Sequence, residues 1–402
     1  MAIAPATLIK PIQPLYRKFL PWLLLLAVGL LSLLAGCSLP QVSAEERLFL
    51  NLSLDLVGEY QLPQTMFQDT PVGGLSGLAY DRKRDRFYAV SDDRSEQAPA
   101  RFYTLKLVHD AANTDAPFKV EVESVTRLTR QDGQPYPPGS IDPEGIALLP
   151  QQTVFISSEG AIAAGTMPTI DEFDLTTGRW QQGLQIPDAF LPDKTGDQPQ
   201  HGIQNNFGFE SLTLSPVGTL PTKGEAIRLF TATESALLQD LDLPTSDSSD
   251  SKVKNRFVHY LVSDGPPVLI SEHLYVVEPN PKWTLLNGLA ELVALDQGGH
   301  FLSLERSLGF LGYRIQLFQL ATGGATDIKD IASLKGDVSG LQPIRKQLLL
   351  DSTELGIPLK NIEGMALGPR LADGSQSLLL VSDNNFQEQA TQFLLFRLKG
   401  GR

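Results

Sequence analysis

Four glutamates, Glu144, Glu210, Glu291 and Glu363, each stand near the start of a short apolar stretch, and Ser76 occupies the same place in a fifth. Five further acids, Asp92, Glu159, Glu234, Glu305 and Asp383, each close a second apolar stretch that follows the first. The nine carboxylates offer hard oxygen donors. Two of them ~7 Å apart repel by roughly 2 kcal/mol at an effective dielectric of ~20. If they converge, the chain must protonate some of them, pair them with Arg or Lys, or bind a cation. Carboxylates and backbone carbonyls select oxygen-seeking ions such as Ca²⁺. One cysteine and five scattered histidines supply no clustered zinc motif. One or more Ca²⁺ ions are therefore expected. For any single acid the alternative is a cap on backbone N–H groups at a turn. Arg94, Arg306 and Lys360 flank motif acids and could either pair with them or bind a substrate phosphate.

The stretches that carry these acids form an internal repeat. Its copies are GGLSGLAYD with RFYAVSDD (73–81, 86–93), DPEGIALL with VFISSEG (142–149, 154–160), FGFESLTLS with RLFTATES (207–215, 228–235), NGLAELVALD with FLSLERS (287–296, 301–307), and NIEGMALG with LLLVSDN (361–368, 378–384). Apolar and polar residues alternate as in half-buried strands. Further strand patterns follow at 101–107 and 118–128, at 256–264 and 268–277, and at 313–320 and 346–351. Four antiparallel strands per copy make a propeller blade. The fold expected is an all-β propeller of five detectable repeats, hence five or six blades. The last copy has only 393–399 after its second strand. The segment 48–62 is expected to supply its missing outer strand and close the ring, which removes exposed edges. An inner strand and its antiparallel neighbour start and end on one rim, so both acidic columns should crowd a single face.

The copies lie roughly 66–81 residues apart, longer than the ~40–45 of compact propeller repeats. The excess falls in loops such as the polar 240–254 and the Pro/Gly-rich 131–143 and 187–206. At the N-terminus, Lys10, Arg17 and Lys18 precede an uncharged apolar run at 19–36 that ends in Leu34-Ala35-Gly36-Cys37. That order of basic, apolar and small residues is a signal peptide. It resembles a bacterial lipoprotein cleavage site, which implies a mature chain lipidated on Cys37. The alternative is an uncleaved membrane anchor. The expected organisation is a signal peptide at 1–36, a tether at 37–47 and a propeller domain at 48–402. The chain would be exported and lipid-anchored to a bacterial membrane, at the periplasm or cell surface. The single cysteine excludes an internal disulfide. A net charge of −13 excludes a phosphate-neutralising nucleic-acid surface. A monomer is expected.

The repeated motifs resemble the bacterial phytase-like family, "esterase-like activity of phytase", over about residues 70–398. The resemblance implies a relative of calcium-dependent alkaline phytases, in which channel-end carboxylates hold calcium ions that bind phosphate and activate water. Carried over, the candidate ligands are Asp92, Glu144, Glu159, Glu210, Glu234, Glu291, Glu305, Glu363 and Asp383. Ser76 departs from the pattern, and the dense basic cluster that phytate would demand is missing. Three functions remain open. The first is a metal-dependent hydrolase of small anionic phosphate esters or related esters, with Glu210 as proton acceptor. The second is a non-catalytic propeller that binds a ligand or a protein. The third is a serine esterase using Ser76 and His201, although no Gly-x-Ser-x-Gly elbow is present.

Overall fold

The computed structural model describes residues 48–109, 117–193, 199–216, 226–242, 252–279, 284–387 and 390–400. The expected signal peptide and tether, with Cys37, lie outside them, as does most of the 240–254 loop. Alternating apolar residues build five four-stranded antiparallel sheets, each in simple up-and-down order. Blade one runs Leu75–Asp81, Arg86–Ser91, Arg101–His109 and Phe118–Arg127. Blade two runs Pro143–Leu148, Thr153–Ser158, Thr169–Asp174 and Trp180–Gly183. Blade three runs Phe209–Leu214, Ile227–Thr233, Lys254–Val262 and Val268–Val276. Blade four runs Thr284–Ala294, His300–Gly309, Gly312–Ala321 and Arg345–Asp351. Blade five runs Asn361–Arg370, Gln376–Asp383 and Ala390–Gly400. Its outermost strand is Leu52–Pro63, paired antiparallel to Ala390–Gly400, so the first strand of the fold closes the ring on the last.

The two faces of each blade feed two different cores, as the pleat requires. Tyr88 and Phe102 of blade one meet Ile156 and Phe173 of blade two. Phe87 and Tyr103, on the opposite face, meet Val381 and Phe393 of blade five. Phe155 packs on Leu229 and Tyr260, Phe257 on Phe301 and Phe318, and Leu304 and Leu317 on Leu380 and Phe396. Blade three's outer edge is covered by the loop that precedes Arg345–Asp351. There Ile328 donates to the Glu272 carbonyl and Ile344 to that of Leu274. The buried Arg256 binds Asp240, Glu272 and the Ile331 carbonyl beneath that loop.

One irregularity repeats in all five blades. The inner strand carries a β-bulge two residues from its start in blades one to three, and at the same level in blades four and five. The bulged residues are Ser76, Glu144, Glu210, Ala290 and Glu363. A bulge bends the strand and re-aims a side chain. Just past it the inner strands touch backbone to backbone, which small residues permit. A Cβ at Gly145 would stand 2.7 Å from the Glu210 carbonyl oxygen, and one at Gly364 would stand 2.6 Å from that of Ser76. Gly145→Ala is therefore expected to cost about 1–3 kcal/mol by overpacking, measured by urea unfolding. A change within about 0.5 kcal/mol, the range of an ordinary surface substitution, would contradict backbone contact at the ring's centre.

Candidate functional site

The bulges set the level at which the acids meet. Aligned on the apolar residue before the bulge (Leu75, Pro143, Phe209, Leu289, Ile362), the bulged column reads Ser76, Glu144, Glu210, Ala290 and Glu363. The residues opposite that apolar column are Ser91, Ser158, Thr233, Glu305 and Ser382. The next position reads Asp92, Glu159, Glu234, Arg306 and Asp383. In blade four the sequence-based columns are thus one residue out of step. Because side chains alternate, one residue moves a group to the other face.

Glu291 and Glu305 consequently stand apart from the other acids. Glu291 lies at the position that is Gly77, Gly145, Ser211 and Gly364 elsewhere, and enters the central channel. Its carboxylate accepts the N–H groups of Leu292, Leu212 and Met365, from three successive inner strands. Burial pushes its pKa well up, against the pull of those donors. Further along the inner strands lies a cavity of about 180 Å³ lined by Leu78, Ile146, Leu212, Leu292 and Met365 and the residues that follow them. Glu305 turns between blades. It accepts from Tyr275 Oη at 2.6 Å, from Lys346 Nζ at 2.5 Å and from the Glu278 N–H at 2.9 Å.

Asp92, Glu144, Glu159, Glu210, Glu234, Glu363 and Asp383 gather at one mouth of the ring. All but Asp92 are buried, and Asp92 keeps an exposed edge. An eighth acid joins them. Asp142, fully buried, precedes the inner strand of blade two. No other repeat has an acid there, since the matching residues are Gly74, Gly208, Gly288 and Asn361. The Asp-Pro-Glu run ahead of the bulge was its only sequence signal. One ligand oxygen each from Asp92, Asp142 and Glu144 lies within 4.8 Å of the other two.

Two guanidinium groups offset part of this charge. Arg94 binds Asp142 in bidentate fashion, Nε to Oδ1 at 2.7 Å and Nη2 to Oδ2 at 2.6 Å, and reaches Asn206 and, at 3.9 Å, Glu159. A third of its side chain stays exposed. Arg306, in the place of blade four's missing acid, clasps Glu234 at 2.6 Å together with Glu363 and Asn361. Lys360 Nζ donates to the Ala390 carbonyl at 3.1 Å. Part of the cluster also serves the ring itself. Glu159 Oε2 accepts from the Gly208 N–H of the next blade at 2.9 Å. Ser76 Oγ donates to the Glu144 carbonyl at 2.9 Å, while His201 Nδ1 bonds the Leu191 carbonyl, so their hydrogen bonds go to separate places.

The remaining charge is unbalanced. Burial, then Asp142, Asp383 and Glu159, hold the Asp92 carboxyl well above the usual carboxylate range, and Asp92 shares a hydrogen bond with Asp142. Burial followed by Asp92 and Glu210 does the same to Glu144. Burial followed by Glu234 and Glu159 raises Glu210, against the pull of Arg306. Glu159 is pushed up to about 8 by burial and Asp142, against the Gly208 N–H and Arg94. Such a site holds extra protons or takes a cation. The donor set is all oxygen and anionic, which fits a hard divalent ion.

A pH dependence follows. Unfolded, Glu159 loses its proton near 4.5; folded, it keeps it to about 8. Between those values the folded chain binds more protons, so stability falls as pH rises. The metal-free chain is expected to melt at a lower temperature at pH 8 than at pH 5.5. Added Ca²⁺ should raise the midpoint more at pH 8. Thermal scans in EGTA and in Ca²⁺ check this, and a flat or rising metal-free profile across the window would contradict it.

The profile of the phytase-like family, described as esterase-like activity of phytase, matches residues 70–386. No curated protein matches the chain. Among solved structures it is similar to a calcium-binding protein, regucalcin, from Agrobacterium tumefaciens, at 12% identity over 85% of this chain and 96% of that one, with a TM-score of 0.34. It is similar to fructan 1-exohydrolase IIa from Cichorium intybus at 9% identity over 85% of this chain and 58% of that one, with a TM-score of 0.36. It is also similar to the Dos1 propeller at 8% identity over 82% and 69%, with a TM-score of 0.34. At such scores none of the three bears on the chemistry.

Proposed function

The chain belongs to the phytase-like family, and from that premise we propose that it is a calcium-dependent hydrolase of phosphate esters or related esters working at the acidic mouth. The observation that carries the reading is the triad Asp92, Asp142 and Glu144, whose oxygens lie within 4.8 Å of one another while two of the three are held far above their ordinary pKa. These three would hold the ion, with Glu159 and Glu210 beside them. Bound there, Ca²⁺ would offset the carboxylate charge, attract phosphoryl oxygens and lower the pKa of a water. Arg94 offers its exposed edge to a substrate anion. Glu210 and Glu159 are the proton acceptors: Glu159, which without a metal keeps its proton to about 8, can exchange it close to neutrality, and its charge raises Glu210 beside it. Arg306 fixes Glu234 and Glu363 and so positions the mouth rather than meeting the substrate. The two arginine clasps also support a second reading, a non-catalytic binding propeller whose acids tie blades together.

Hydrolysis of p-nitrophenyl phosphate, bis-p-nitrophenyl phosphate and p-nitrophenyl acetate, each in Ca²⁺ and in EGTA, separates these readings. Phosphate-ester turnover lost in EGTA and reduced at least about 100-fold by Glu144→Gln is the expected result, as for removal of a principal charge-stabilising group. Glu291→Gln, outside the cluster, should leave Ca²⁺ affinity within about twofold. No turnover of any ester would favour the binding module, and acetate turnover indifferent to EGTA would favour the serine route. We also place the chain outside the cytoplasm, lipidated on Cys37, on the strength of the basic, apolar and small-residue order at 1–37. Cys37→Ser should release it from the membrane fraction; retention there would favour an uncleaved anchor.

A further inference from the structure

Blade four is built higher than the others on the side of the acidic mouth. Elsewhere the inner strand begins at or one residue before the apolar residue that precedes the bulge, as at Leu75, Pro143, Phe209 and Asn361. In blade four it begins at Thr284, five residues before Leu289. The second strands of blades one to three end at Ser91, Ser158 and Thr233, the level of Glu305, whereas blade four's continues to Gly309. The third strand starts at Gly312 beside it. The result is a three-stranded tongue that rises past the rim, with Leu286 opposite Leu308 and Gly309 opposite Gly312.

The tongue's upper end is apolar and exposed. Leu285 is 65% exposed, Leu286 42%, Phe310 77% and Leu311 fully so. Leucines exposed at a hairpin tip gain nothing for the fold, and several exposed apolar side chains at one end of a sheet mark a contact site. Its location specifies the contact. The strand that carries the tip carries Arg306 four residues earlier, so the apolar end stands ~13 Å above the mouth at ~3.3 Å per residue. The two surfaces belong to one continuous ladder, in which Gly288 pairs with Arg306 and Leu286 with Leu308.

We propose that the tongue receives the apolar tail of an amphipathic phosphate ester whose anionic head sits in the mouth. This rests on the reading of the mouth as a calcium-dependent anion site. A head held at the level of Arg94 and the triad leaves a tail directed outward along blade four. An alkyl chain laid on the tongue covers leucines that are otherwise hydrated, so long-chain esters bind more tightly than short ones.

Calorimetric affinities of ethyl phosphate and decyl phosphate, in Ca²⁺ and in EGTA, test the proposal on the wild type and on Leu285→Ser/Leu311→Ser. Both substitutions are at exposed positions, so the fold should survive them. Decyl phosphate is expected to bind at least about tenfold more tightly than ethyl phosphate in the wild type. In the variant the ratio should fall to within about twofold. Calcium-dependent binding of both esters with a wild-type ratio near one would overturn the tongue's role and leave the mouth's reading standing. A ratio that persists in the variant would overturn it as well. Failure of both esters to bind in Ca²⁺ would remove the mouth's reading and this inference with it. Dimerisation in sedimentation that the variant abolishes would assign the tongue to a second copy of the chain instead.

Discussion

Like-charge repulsion in a poorly hydrated space is the constraint on which this structure turns. Eight carboxylates share one mouth of the ring with two guanidinium groups. Arg94 and Arg306 each serve more than one acid, and each is held by bonds short enough to be charge-assisted. What they leave uncompensated is visible in Asp92, Glu144 and Glu210, all driven toward their neutral forms. Removing charges from water is costly even when they are paired. A fold that gathers so many does so at a thermodynamic cost, one that a divalent ion bound as proposed would offset.

The geometry that gathers them is a backbone device. Each bulge breaks the two-residue alternation at one level and turns a side chain from the blade interface toward the mouth. Glycine or serine just past the bulge lets adjacent inner strands approach within backbone contact. Blade four deviates at that level in a coordinated way. Ala290 takes the acid's place, Arg306 replaces the carboxylate of the second strand, and Glu291 fills the position reserved elsewhere for a small residue. Glu291 then closes the centre by binding N–H groups from three strands. The same blade extends upward into the apolar tongue. The fivefold pattern is thus broken in one blade, in its bulged residue, its charge and its exposed apolar end alike.

Much of this was legible in the sequence because a propeller repeats its chemistry. Five copies, four strands each, and closure by the segment around Leu52–Pro63 all follow from strand periodicity and from the short last copy. Seven of the nine proposed acids meet at one mouth for the same reason. Blade four falls one residue out of register when its glutamates, rather than the apolar residues before them, anchor the alignment; Leu289 and Glu305 against Phe209 and Thr233 give the right register. Asp142 does not recur in the other copies, and a single acid carries no column. The pairing of Arg306 with Glu234 and Glu363 joins residues 72 and 57 positions apart. Only the packing of successive blades three, four and five brings them together, so no local pattern could announce it.

The most direct measurement is a crystal structure of the mature chain grown or soaked in saturating calcium, with the ion located by anomalous scattering. The expected result is a peak bounded by Asp92, Asp142 and Glu144, with ligand distances of about 2.3–2.6 Å. An ordered mouth without a peak, its acids sharing protons among themselves at neutral pH, would contradict the claim that a divalent cation completes this fold.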